Sequence, residues 1–139
     1  MADSSDIDNA LVTKLANDAT LLALCPNGVY VDEAPPGSTR FVIVSLVEEA
    51  DAGIFGARAF EDALYQVEAQ MLSTVAGANI KAAAARIDAL LEQGTLTVAG
   101  YSLMALFRES RIRLTEVDAA DNAIRWYRRG GNYRLVVST

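Results

Sequence analysis

The 139-residue sequence contains no histidine. Without imidazole the chain builds no Ser-His-Asp or Cys-His nucleophile system, no histidine proton shuttle and no histidine-ligated zinc or iron site. Most common enzyme designs are thereby excluded. The single cysteine, Cys25, excludes an internal disulfide and any CxxC redox or zinc motif, and fits a reducing compartment. Cys25 closes the apolar run Leu21-Leu22-Ala23-Leu24, which predicts a small buried packing residue, since reactive thiols sit in exposed, electropositive surroundings. Aromatics make up only 7% of the chain although hydrophobic residues reach 52%. The difference is carried largely by 24 alanines, small side chains that let elements pack closely. No stretch approaches the roughly 18 consecutive apolar residues of a membrane span. The start, Met1-Ala2-Asp3-Ser4-Ser5-Asp6, has neither the basic region nor the apolar core of a signal peptide, so the expected product is unprocessed and cytosolic.

What is present points to one domain, residues 1–139, large enough to bury roughly two thirds of its unfolded surface without metals or disulfides. The net charge of -6 is unevenly spread. Residues 1–100 carry 14 acids and 5 bases, while residues 101–139 carry 4 acids and 7 bases. Such segregation suits head-to-tail stacking of identical subunits, because complementary patches steer association. The alternative is a set of arginines on a solvated strand face.

Along the chain, Ser5 and Asp8 form an acidic capping box, and Ile7, Leu11, Leu15, Ala19 and Leu22 recur at helical spacing. A first helix over about 6–24 follows, with Asp18 placed to cap a short turn inside it and Pro26-Asn27-Gly28 ending it. Val29–Val31 reads as a short strand, and Asp32–Ser38, with two prolines, as an exposed loop. Arg40–Val47 is nearly all β-branched or apolar, the mark of a strand buried on both faces. Glu48–Phe60, with Gly53 and Gly56, reads as a flexible loop or a loosely formed hairpin arm. From Glu61 to Leu72, Ala63, Tyr65, Val67, Ala69 and Met71 alternate with a mostly polar side that includes Asp62, Gln66, Glu68 and Gln70. Asn79 to Gly94 frames a second helix with an apolar stripe at Ile80, Ala83, Ala84, Ile87, Leu90 and Leu91. Leu96–Val98, Leu103–Val117 and Ile124–Ser138 read as strands, the second long enough to need a bend or bulge and the last interrupted at Arg129-Gly130-Gly131-Asn132. The order implies an α+β fold, a mainly antiparallel sheet with two helices packed on one face.

Chemical motifs are sparse. Gly53, Gly56 and Gly130-Gly131 lack the lysine and the strand-to-helix context of a phosphate loop. Glu48, Glu49 and Asp51 cluster, but no calcium-loop spacing accompanies them, and a solvated acidic segment is the simpler reading. Glu61 and Glu68 are carboxylates with no sign of a glycosidase cleft between them. No catalytic, cofactor-binding or metal-ligating set follows, and the expectation is a protein that is not an enzyme. Arg111 and Arg113 share a strand face, and Arg125, Arg128, Arg129 and Arg134 crowd the next strand near Trp126, Tyr127 and Tyr133. Basic and aromatic residues interleaved this way bind single-stranded nucleic acid in some proteins, but a chain relying on counterion release is normally basic overall. A protein contact anchored by arginine and tyrosine is favoured.

The ordered features resemble the tail-completion or tail-terminator proteins of long-tailed bacteriophages, prophages and gene transfer agents. The resemblance rests on an N-terminal helix ending in Leu22-Ala23-Leu24, then Gly28-Val29-Tyr30, Ala34-Pro35-Pro36-Gly37 and the strand Phe41-Val42-Ile43-Val44. It continues through the alanine-rich helix with Arg86, Leu90 and Leu91, the following Gly94, and closing strands with Trp126 and Tyr133-Arg134. Where the family often has an Asp-Gly turn and a Trp-His pair, this chain has Asp121-Asn122 and Trp126-Tyr127, followed by Arg128–Asn132. The resemblance implies an α+β subunit of a ring, typically of six, that caps the tail tube, ends its polymerisation and joins the tail to the head-completion proteins. DNA passes through the middle, no cofactor is needed, and the protein is made in the host cytoplasm and ends in the virion at the head–tail interface.

On this reading Phe55, Arg58, Arg111, Arg113, Arg125, Arg128, Arg129 and Tyr133 are the expected inter-subunit or tube contacts. Glu48, Glu49 and Asp51 are the expected lumen-facing acids, which would repel DNA phosphates during passage. A ring subunit needs two different lateral surfaces, and heterologous contacts close into rings when the rotation allows. The rival readings are another head–tail connector or minor tail component, and a small ligand-binding α+β domain, which would need a sizeable apolar pocket with convergent polar groups.

Overall fold

The computed structural model describes residues 4–54, 57–76, 79–92 and 94–138. Helix α1 (Ser4–Ala16) buries Ile7, Leu11 and Leu15, as their helical spacing requires. The helix expected to run on to residue 24 instead breaks at Asn17-Asp18. Asp18 is extended (φ -90°, ψ 112°), and its carboxylate accepts the Leu21 N–H at 2.8 Å as the N-cap of α2 (Ala19–Leu24). A short carboxylate side chain competes with the backbone for the N–H groups of the next turn, and here it begins a new helix. The cap is tied from outside by Arg86, whose Nε and Nη2 donate to Asp18 at 2.8 and 2.6 Å.

Strand β1 (Val29–Val31) lies parallel to β2 (Arg40–Ile54), which pairs antiparallel with β3 (Ala57–Leu72). Of the two readings of 48–60, the described residues take the hairpin: Glu48 to Ile54 ladder against Leu64 to Ala57, with bulges at Leu46/Glu48 and Ala52/Gly53. The small residues here permit close pairing rather than a loop. A short helix α3 (Ser73–Ala76) and then α4 (Asn79–Leu91) follow, and β4 (Ser102–Val117) and β5 (Arg125–Ser138) complete a sheet of order β1-β2-β3-β5-β4. All pairs except β1–β2 are antiparallel.

Two expected details differ. Leu96–Val98 forms no strand, only a bridge from Val98 to Tyr101 across a turn at Gly100, whose φ of 78° suits glycine. The interruption expected at Arg129–Asn132 falls on the neighbouring strand: β5 is continuous, and the bulges lie in β4 at Leu103/Ala105 and Arg108/Ser110. The two glycines serve close approach. A Cβ at Gly130 would stand 2.0 Å from the Val67 carbonyl oxygen, so only glycine lets β5 lie this near β3.

One face of the sheet carries the helices. Val42, Val44, Ala63, Tyr65, Val67, Ala69, Met71, Leu106, Tyr133, Leu135 and Val137 form a single cluster with Ile7, Leu11, Leu15, Leu21, Ile80, Ala83, Ile87 and Leu91. The α+β architecture is therefore present, with α1, α2 and α4 rather than two helices supplying the cover. On the open face Phe41 and Trp126 meet edge to face at 5.6 Å between ring centres, beneath the Asp32–Ser38 loop. Cys25 is fully buried, and desolvation pushes its thiol up to about 11.

Candidate functional site

The alternation of the strands sorts the charged residues into two environments. On the open face, Arg128 donates from Nε and Nη2 to Glu68 Oε1 at 2.9 and 2.6 Å, and from Nη1 to Glu116. Gln70 Nε2 adds a fourth donor contact to this group, also reaching Glu68 Oε1 at 2.8 Å. Glu68 lies on the polar side expected from the alternation, yet it is only 2% exposed, because Arg128 and its neighbours roof it. Burial works against the Arg128 charge, and the hydrogen bonds and attraction of Glu68 and Glu116 outweigh it, raising the guanidinium pKa.

Six residues further along β5 on the same face, Arg134 joins Asp62 at 2.8 Å, Glu109 at 3.2 Å and Glu48 at 3.3 Å. The hydrogen bonds it donates to Asp62 and then Glu109 hold its pKa above the ordinary arginine value. Arg134 therefore ties β2, β3, β4 and β5 together on one face. The sequence groups Arg134 with the crowded arginines favoured for a protein contact, whereas the structure spends it on three carboxylates of its own chain. The signal was present in Asp62 and Glu68, six apart and therefore on the same side of one strand.

On the helix face, Tyr133 is 1% exposed, and its hydroxyl donates to Asp88 Oδ1 at 3.0 Å. Burial first, and Asp88 second, raise its pKa. Arg108 reaches the same carboxylate at 3.1 Å. Tyr133, expected as an outward contact, thus locks α4 to the sheet from inside the core. The matching lock at the other helix is Tyr65, whose hydroxyl donates to Asp8 Oδ1 at 2.6 Å.

Arg111 and Arg113 do share the helix-side row of β4, standing opposite Gly131 and Arg129 of β5. Among the described residues no carboxylate lies within ion-pair distance of Arg111, Arg113 or Arg129. Arg113 and Arg129, with Lys81, Ile80, Leu114, Thr115 and Tyr127, line a groove of about 360 Å³ beside the start of α4. Arg125 is turned toward its own loop, Nη1 donating to the Ile124 and Asn122 carbonyls, while its backbone N–H donates to Ser73 Oγ at 3.0 Å. That loop is organised by Asp118, which accepts from the Ala120 and Asp121 N–H groups and from Trp126 Nε1 at 2.9 Å. Arg58 stands opposite Gly53 in the hairpin, and Phe55 lies outside the described residues.

The acids are divided. Glu48 pairs with Leu64 in register and reaches Arg134 on the open face, whereas Glu49, opposite Ala63, belongs to the helix-side row. Asp51 stands two residues beyond Glu49, opposite Glu61. No group of three or more acidic or cysteine side chains is arranged to hold a metal ion among the described residues. Among the described residues three surface grooves are open to solvent, each lined by both polar and apolar side chains. The arrangement offers contact surface: an acidic margin, a basic margin and an arginine-braced open face.

No known protein family matches the sequence, and no curated protein does either. Among solved structures, a chain of the virion of a native gene transfer agent particle superposes with a TM-score of 0.68 at 26% identity. The match covers 99% of this chain and 98% of that one. A second solved chain superposes with a TM-score of 0.58 at 15% identity, over 97% of this chain and 96% of the other, and shares the fold. The full-length likeness to a gene transfer agent virion component supports a phage-like virion structural protein.

Proposed function

We propose that this phage-like virion structural protein is a tail terminator, a subunit of a ring, typically of six, that caps the tail tube and joins it to the head-completion proteins. The observation that supports this most is the full-length likeness to a virion component, together with two chemically different lateral margins on one small sheet. The role requires no bond making: the subunit ends tube polymerisation by occupying the last ring of tube contacts. It works at the head–tail interface, with DNA as passing cargo. The braced open face supports the role mechanically. Arg128 and Arg134 bind four strands into one plate, so load applied at the tube end passes through hydrogen-bonded charges rather than loose loops. A lumen wall built from this sheet carries Glu48 on the open face and Glu49 on the opposite side, so the two acids do not line one surface together.

Negative-stain electron microscopy of the purified protein, alone and mixed with uncapped tail tubes from a terminator-defective lysate, tests the proposal. Caps at one end of tubes of fixed length are expected. Tubes that stay uncapped and keep growing, with the protein bound instead at the portal or on tail fibres, would sink it in favour of another connector or minor tail role.

A further inference from the structure

Among the described residues, five of the seven large exposed apolar side chains lie on two opposite margins of the sheet, the others being Val31 on β1 and Val75 on α3. Leu46 and Val47 lie on β2, while Met104, Leu114 and Val117 lie on β4, the far edge strand; Val47 and Val117 are each more than half exposed, at 53% and 54%. Both margins also end in unpaired backbone. β1 covers β2 only at Val42–Val44, so among the described residues the outer side of β2 has no neighbour from Ser45 onward, and β4 has none on its outer side. An uncovered edge of this length is what a strand from another molecule pairs with unless something blunts it. Bulges at Met104 and Glu109 blunt the first half of β4, and the regular run that remains is Ser110–Val117.

The two margins carry residues of opposite charge. The β4 margin carries Arg111 and Arg113, which have no carboxylate partner among the described residues, backed by Arg129. On the β2 margin Glu48 is engaged by Arg134, but no basic side chain among the described residues reaches Glu49, and Asp51 follows two residues on. The margins are three strand spacings apart, roughly 14 Å, and face away from each other, so they cannot meet within one chain.

We propose that the edge of β4 from Ser110 to Val117 receives the acidic distal half of β2 from a second copy of this chain, Arg111 and Arg113 facing Glu49 and Asp51 while the exposed apolar residues cover one another. The contact is heterologous, each copy offering β4 on one side and β2 on the other, and it rests on the ring reading while naming the surfaces that build the ring. Pairing of these opposite charges sets the register and excludes the two like-with-like contacts.

Two charge-reversed full-length variants test this: Arg111→Glu with Arg113→Glu, and Glu49→Lys with Asp51→Lys. Arg111, Arg113 and Glu49 take no part in the Arg128 or Arg134 networks, and circular dichroism with thermal melting verifies that both variants fold. In sedimentation velocity each variant alone is expected to lose assembly by at least about 100-fold in apparent affinity. An equimolar mixture is expected to recover it, because an alternating assembly again places acid against base at every contact. A parent that stays monomeric up to about 1 mM, the weak end of measurable association, overturns the proposal. So do folded single variants that assemble like the parent, or a mixture that does not recover. If assembly behaves as expected but tubes remain uncapped, the interface stands and the terminator reading fails.

Discussion

Replacing Gly130 with alanine should be among the most damaging single-methyl additions in this protein. A Cβ there would lie 2.0 Å from the Val67 carbonyl oxygen, 2.6 Å from Glu68 Cα and 2.9 Å from Glu68 Cβ, whereas real Cβ atoms essentially never come under 3.0 Å. Two of those three contacts are backbone, so relief requires β5 to move about 1 Å from β3. That displacement takes ladder hydrogen bonds of about 2.9 Å beyond bonding range. Losing two such bonds at about 1 kcal/mol each, with overpacking of about 1–3 kcal/mol, gives a destabilisation of roughly 3–5 kcal/mol. For a domain of this size the melting temperature falls by about 10 °C or more. Gly131→Ala is the internal control. Its Cβ would meet Arg108 Cδ and Ser110 O at 2.9 Å, a shortfall of about 0.1 Å, partly against a flexible side chain. A cost near 1 kcal/mol is expected. Urea unfolding followed by the fluorescence of Trp126, the one tryptophan, reads both. A Gly130→Ala variant within 0.5 kcal/mol of the parent, or a Gly131→Ala variant that costs more, would refute the close-approach argument.

Two further outcomes are expected. Arg128→Leu leaves the buried Glu68 carboxylate without its main partner and should cost about 3–5 kcal/mol, while adding Glu68→Leu should restore much of the loss, as a double-mutant cycle by urea unfolding measures. The Arg86 hydrogen bond, aided by the Leu21 N–H, holds Asp18 down to about 2 from 3.8 despite opposing desolvation. Its stabilisation is therefore fully present above about pH 4 and lost as pH falls through about 2. Asp18→Asn should lower the melting temperature at pH 6 but narrow the gap to the parent by pH 2; a constant gap across that range would reject the linkage.

The local periodicities largely determined where elements form. The spacing of Ile7, Leu11 and Leu15, the alternation from Ala63 to Met71 and the stripe of α4 all point to the buried sides found in the structure. These signals are legible because each depends only on the repeat of its own element. The resemblance in Gly28-Val29-Tyr30 and Ala34-Pro35-Pro36-Gly37 pointed toward phage-like particles, and the likeness to a gene transfer agent virion component agrees with that coarser level. Tertiary structure alone decided which charges are spent. Arg128 and Arg111 are both arginines on neighbouring long strands, yet one roofs a buried glutamate and the other has no carboxylate partner among the described residues. The difference is set by strand order, which brings β3 beside β5 and leaves β4 at the edge. Glu68 shows the same dependence: alternation puts it on the polar side, but its enclosure depends on pairing with β5, which sets a glycine opposite it and an arginine two residues before that glycine. Cross-strand register is a long-range property, fixed by the simultaneous fit of all strands to one core, and no window of sequence contains it.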